Sequence, residues 1–242
     1  MKTPRCATRM ETAIVSMRAA HSAPSSRGAT AAMLEPFLDR LPLVAILRGV
    51  APEDVVGVGD ALVDAGFAII EVPLNSPRPL ESIQRLHARF GQAILIGAGT
   101  VTSPDQVREI AAASGRLIVM PHGDADVVRA AKAAGLACIP GIATPTEGFA
   151  ALANGADALK LFPAELLTPS VLKAMRTVFP SGTRLLPVGG ITPDAMASYV
   201  AAGAAGFGLG GALYRRGDDP SRVAANARDF VSAWKRLRSV AS

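Results

Sequence analysis

From Leu41 onward one unit recurs: a short aliphatic or β-branched run, a turn, then an Ala-rich segment with helical spacing. The runs expected to be strands are Leu43 to Leu47, Ala68 to Val72, Ile94 to Gly97, Leu117 to Met120, Leu136 to Pro140, Ala158 to Phe162, Leu185 to Val188 and Gly206 to Gly210. Near-continuous apolar strands alternating with helices indicate a parallel sheet buried on both faces. Helix starts are expected at Pro52-Glu53-Asp54, Ser103-Pro104-Asp105, Thr144-Pro145, Thr168-Pro169 and Thr192-Pro193-Asp194, where a polar side chain caps and Pro sits in the first turn. Gly66, Gly91, Gly115, Gly135, Gly155 and Gly203 stand where helices should end. Eight such units predict a closed (β/α)₈ TIM barrel. A doubly wound open sheet is the competitor, but Arg48-Gly49-Val50 after the first strand lacks its Gly-rich phosphate turn.

The chain has 242 residues, half of them hydrophobic, enough for one barrel with a large core. Residues 1–33 read as a disordered or non-native N-terminal extension and 34–242 as the single barrel domain. The extension is rich in Ala, Ser and Arg, and resembles a transit peptide or an upstream addition, with Met17 and Met33 as alternative starts. Its five basic residues against Glu11 hold +4 of the formal +5, so the barrel itself is nearly neutral. A neutral body argues against nucleic acid as a partner. The apolar runs are broken before the ~20 residues a membrane helix needs, and two cysteines, Cys6 and Cys138, with no framework or metal spacing, fit a reducing cytoplasm.

In a TIM barrel the reacting groups lie at the C-terminal ends of the strands. Only Lys132, Lys160, Lys173 and Lys235 follow the extension, and Lys160 alone falls inside a strand. Alternation places it on the face of Ala158 and Phe162, the expected barrel interior. Burial disfavours the ammonium, lowers its pKa and leaves an amine able to attack a carbonyl, as an iminium-forming enzyme requires. Glu71 is the matching acid, near the end of the second strand on the face of Ile69, able to pass protons beside such an amine. The plainer alternative is an ion pair that neutralises Lys160.

Glycine marks an anion site. Val188-Gly189-Gly190 ends the seventh strand and Gly208-Leu209-Gly210-Gly211 the eighth, where backbone N–H groups can approach a phosphate. Arg48 is a candidate second clamp for a phosphate or carboxylate. Gly97-Ala98-Gly99-Thr100 offers N–H groups and a hydroxyl after the third strand. His87 is expected on a helix surface and His122 in the loop after strand four, without metal-ligand spacing, so no metal and no cofactor is expected.

At these residues the chain resembles the 2-keto-3-deoxy-6-phosphogluconate and 2-keto-3-deoxy-6-phosphogalactonate aldolases, from about Leu41 to Tyr214. The resemblance rests on Ile70-Glu71-Val72, Gly97-Ala98-Gly99-Thr100-Val101, Pro140-Gly141-Ile142-Ala143-Thr144, Lys160-Leu161-Phe162-Pro163-Ala164-Glu165 and Gly189-Gly190-Ile191, in the family's order. It implies a class I aldolase with Lys160 as Schiff-base lysine and Glu71 as proton shuttle. Thr100 and the Phe162-Pro163 turn would hold the pyruvyl part, and the glycine turns the phosphate. The products would be pyruvate and glyceraldehyde 3-phosphate, the enzyme a homotrimer without a metal. Leu47-Arg48-Gly49 and Pro73-Leu74-Asn75-Ser76-Pro77 are more similar to the phosphogalactonate enzymes, as is Val188, which cannot hydrogen-bond a substrate hydroxyl. Gly211 departs from the family, whose members often have Gly-Ser at Gly210-Gly211. A phosphosugar isomerase or epimerase, and a non-catalytic sugar-phosphate-binding barrel, are the rival readings.

Overall fold

A computed structural model describes residue 1 and residues 26–241 of the chain. The elements in order are α1 (Ser26–Arg40), β1 (Leu43–Ile46), α2 (Val55–Ala65), β2 (Ile69–Pro73), α3 (Pro79–Phe90), β3 (Leu95–Gly99), α4 (Pro104–Ala112), β4 (Leu117–Val119) and α5 (Ala125–Ala133). They continue with β5 (Ala137–Ile139), β6 (Gly141–Ile142), α6 (Pro145–Ala153), β7 (Leu159–Leu161), α7 (Pro169–Arg176), β8 (Leu185–Pro187), α8 (Met196–Ala201), β9 (Phe207–Leu209) and α9 (Pro220–Ala241). All eight expected strands are present within a residue or two, the fifth divided at Pro140 into β5 and β6. Proline lacks the N–H a ladder needs, which accounts for the break.

The strands pair in parallel as β5-β4-β3-β2-β1-β9 and β6-β7-β8. Two seams close these sheets into a barrel. Val188 bridges Gly208 between β8 and β9. Across the other seam the Asp157 backbone N–H donates to the Cys138 carbonyl at 3.0 Å and the Lys160 backbone N–H to the Pro140 carbonyl at 2.9 Å.

Side-chain alternation divides the apolar residues into two cores. Inside the barrel lie Val44, Ile69, Leu95, Leu117, Ile139 and Leu186, with Leu34 and Leu38 of α1 packed against them. Between barrel and outer helices lies the larger core, which includes Leu62, Ile70, Leu86, Ile110, Phe207 and Phe230. Helix α1 closes the N-terminal end of the barrel. Arg184, just before β8, pairs with Glu35 and reaches Asp39 at 2.8 Å, and the Arg116 guanidinium, just before β4, lies 5.6 Å over the Phe37 ring. With that end plugged, the opposite mouth is left for chemistry. Helix α1 starts at Ser26, so residues 26–33, expected as part of a disordered extension, include helical backbone; residues 2–25 of that extension lie outside the described residues.

The capping expectations hold where the geometry allows it. Ser103 accepts from the Gln106 N–H, and Thr144 and Glu147 form a reciprocal capping box. Thr168 makes no capping bond, and α2 and α8 begin at Val55 and Met196, later than expected and without a side-chain cap. Asp124, not anticipated, caps α5 through the Asp126 and Val127 N–H groups. At the end of α4 the left-handed residue is Ser114, not Gly115.

Candidate active site

Lys160 and Glu71 project from β7 and β2 into the mouth of the barrel, as alternation predicted. Both are buried, 5% and 1% exposed. The cavity they share is walled by Val44, Ile46, Val119, Ile139, Leu186 and Val188, with Gly208 at the closing seam. Apolar walls deprive both groups of hydration. Burial pushes the Glu71 carboxyl up to about 7, with attraction to Lys160 and Arg48 opposing the rise. Burial likewise lowers the Lys160 pKa; Glu71 pulls it up and Arg48 pushes it down. No ion pair within 4.0 Å joins the two among the described residues, and Glu71 Oε2 has no hydrogen-bond partner. The simple neutralising pair is therefore not formed. An orphaned carboxyl oxygen that titrates near neutrality, beside a desolvated amine, is arranged for proton transfer.

Gly99 makes this placement possible. A Cβ on Gly99 would lie 1.6 Å from Glu71 Oε2 and 2.4 Å from its Cδ, so only glycine admits the carboxyl group against β3. Gly99→Ala is expected to keep the fold and lower kcat by about 10²-fold, because a shift of about 1 Å in a reacting group costs that much. Circular dichroism with steady-state kinetics checks this; an alanine variant of unchanged kcat would refute it.

The remaining expected residues gather round the same mouth. Thr100, directly after β3, has φ +60°, a left-handed conformation that a β-branched residue adopts only under constraint from its surroundings. The Lys160 Nζ lies 4.6 Å from the centroid of the Phe162 ring, and Phe162 and Pro163 form a cis peptide at the end of β7. Val188 is buried and lines the cavity. Arg48 is exposed just after β1, and its Nη1 donates to Asn75 Oδ1 at 2.8 Å. Asn75 and Ser76 thus act as supports: Ser76 Oγ accepts from Gly49 N at 2.9 Å, tying the loop after β1 to the loop after β2.

The two glycine turns differ. Gly189 and Gly190 have φ +116° and +60°, and the Glu165 carboxylate lies against them, its Oε2 2.3 Å from where a Gly189 Cβ would stand. Gly210 and Gly211 face open space, where added Cβ atoms would meet nothing within 4 Å. Sequence reasoning did not anticipate the position of Glu165, although the residue was part of the motif. His87 is half-buried on α3, its Nδ1 buried and unpartnered, and His122 is exposed after β4. Among the described residues no group of three or more His, Cys, Asp or Glu could hold a metal ion, and no helix is long and apolar enough to cross a membrane.

A parallel barrel with a dry amine and a carboxyl at its C-terminal mouth has the arrangement that carbonyl chemistry on a lysine requires. Residues 34–220 match the family described as KDPG and KHG aldolase. The chain is 44% identical over 196 residues to the 2-dehydro-3-deoxy-6-phosphogalactonate aldolase of Escherichia coli K12, spanning 81% of this chain and 96% of that protein. A solved structure described as native KDPGal superposes with a TM-score of 0.81 at 44% identity, covering 83% of this chain and 97% of the other. The KDPG aldolase of Legionella pneumophila, solved with pyruvate captured as a covalent carbinolamine, has a TM-score of 0.71 at 25% identity, covering 86% and 97%. The chain belongs to the KDPG and KHG aldolase family, and it is an aldolase, a carbon–carbon lyase.

Proposed function

We propose that this aldolase cleaves 2-dehydro-3-deoxy-6-phosphogalactonate to pyruvate and D-glyceraldehyde 3-phosphate through a Schiff base on Lys160. The observation that carries the reading is the buried Lys160 amine facing the unpartnered Glu71 carboxyl across an apolar cavity. The neutral amine adds to the C2 ketone to give a carbinolamine, which loses water to an iminium. Glu71, through a water molecule, takes the proton from the C4 hydroxyl. The C3–C4 bond then breaks, its electrons flow into the iminium, and the aldehyde leaves. Protonation of the resulting enamine at C3 and addition of water release pyruvate and restore Lys160. The carbinolamine captured in the Legionella relative supports the first step.

Arg48 and Thr100 would orient the acid and keto end, with Phe162 and Pro163 forming one wall. Val188 supports the galactonate assignment, because an apolar side chain at the mouth leaves a C4 hydroxyl unbound and favours the epimer whose hydroxyl points elsewhere. Gly189, Gly190, Gly210 and Gly211 would surround the phosphate. A homotrimer in the cytoplasm is the setting the resemblance implies. Exposed Phe149 and Val178, beside the Phe149–Phe179 ring contact at 5.3 Å, offer an apolar face for such assembly.

Turnover of the two C4-epimeric phosphosugar acids tests the substrate. The phosphogalactonate epimer should show the higher kcat/KM by at least about tenfold, the discrimination expected from about 1.4 kcal/mol. Equal rates, or preference for the gluconate epimer, would remove the galactonate assignment and leave the aldolase in place.

A further inference from the structure

The phosphate end of the mouth has an unusual charge arrangement for an enzyme that takes a phosphorylated acid. On the β8 side the Glu165 carboxylate lies against Gly189 and Gly190, and a phosphate of about −1.5 to −2 charge at pH 7 would meet it as a like charge. On the β9 side Gly211 supplies no hydroxyl. A dianion bound there needs a cation to offset Glu165 and to replace the missing donor.

Arg215 is so placed. The Gly210 carbonyl accepts from the Leu213 and Tyr214 N–H groups at 2.8 and 3.0 Å, while the N–H groups of Gly211 and Ala212 find no acceptor among the described residues. The Arg215 Nε donates to the Gly211 carbonyl at 3.0 Å, and its backbone N–H donates to Asp218 Oδ2 at 2.8 Å. The guanidinium is therefore moored at one nitrogen on the open turn, and its two terminal nitrogens have no acceptor among the described residues. Two other cations at the mouth are engaged elsewhere, and Arg216 packs its stem over Gly49. Arg48 donates to Asn75, and Lys160 is buried at the reacting carbon.

Resting on the phosphosugar-acid reading above, we propose that Arg215 is the specificity residue that grips the substrate phosphate, its free guanidinium nitrogens joining the Gly211 and Ala212 N–H groups. Planar fork geometry suits two phosphate oxygens, and one such charged contact corresponds to roughly a 10- to 100-fold change in binding. Arg215→Gln should raise KM for the phosphorylated substrate by that factor while kcat stays within about twofold. KM for the unphosphorylated sugar acid should not change. Arg215→Lys should fall between the two, and Gly211→Ser in the Arg215→Gln background should recover part of the loss. Inorganic phosphate gives a readout independent of turnover: it should raise the Tm of the unmutated protein and not that of Arg215→Gln. Equal losses on both substrates, or an undiminished phosphate shift in Arg215→Gln, would overturn the proposal. Failure of the unmutated protein to trap pyruvate with borohydride would count against the Schiff-base reading alone, since the phosphate shift still decides Arg215.

Discussion

Lys160→Arg is expected to abolish aldol cleavage, with kcat lower by at least about 10³-fold, as losses of a covalent nucleophile are. Arginine keeps the positive charge and most of the stem, but its guanidinium stays protonated at any working pH and cannot add to a ketone. Lysine here differs because burial among Val44, Ile139 and Leu186 lowers its pKa and so favours the neutral amine. Lys160→Met, of similar length and without charge, provides a second variant in case the longer guanidinium disturbs the barrel. Pyruvate with borohydride should add a stable mass to Lys160 in the unmutated protein and none in either variant. An isomerase or a binding protein on this fold would behave otherwise, since neither needs an imine. Substantial activity in both variants would end the Schiff-base mechanism.

How much of this was legible in the sequence follows from the range over which each signal acts. Alternation along one strand is local, so Ala158, Lys160 and Phe162, or Ile69 and Glu71, could be assigned to the barrel interior without coordinates. Strand positions were legible for the same reason, because an apolar run between a helix end and a Pro-marked helix start has few other homes. What was not legible depends on loops that meet only in the closed barrel. Arg48 and Asn75, 27 positions apart, meet because β1 and β2 are neighbours in register, Ile46 opposite Glu71. The clearance that Gly99 leaves for the Glu71 carboxyl likewise arises between strands and has no signature in the glycine motif. Glu165 lies against a turn more than twenty residues further along, a contact that neither motif shows by itself. Helix α1 was missed as a barrel plug because Leu34 and Leu38 become core residues only against strands from the whole circumference.

Glu71→Gln should lower kcat by about 10²- to 10⁴-fold, the range for loss of a general acid–base group, and should also change how both activity and stability depend on pH. For activity, the ionised carboxylate is the form that accepts a proton. With the Glu71 pKa at about 7, kcat/KM of the unmutated enzyme should fall as pH drops below about 7. Because Glu71 and Lys160 influence each other, that limb belongs to the pair as an apparent value. In Glu71→Gln it should vanish. For stability, the carboxyl binds its proton more tightly in the folded chain, with a pKa of about 7 against 4.5. Between those values the folded state holds a proton that the unfolded chain has released, so stability falls as pH rises. The contribution is fully present below about pH 4.5 and gone above about pH 7, on the order of 3 kcal/mol from the size of the shift. Glutamine does not titrate, so the variant's urea midpoint should lose this decline between pH 5 and 8 and overtake the unmutated protein at the alkaline end. The gain is less than the full amount because Lys160 forfeits the attraction of an ionised neighbour. An acid limb near pH 7 that survives in Glu71→Gln, together with parallel stability curves, would show that another group carries the proton. The cost of burying this carboxylate is, on this account, what keeps an acid in play at neutral pH beside a nucleophilic lysine.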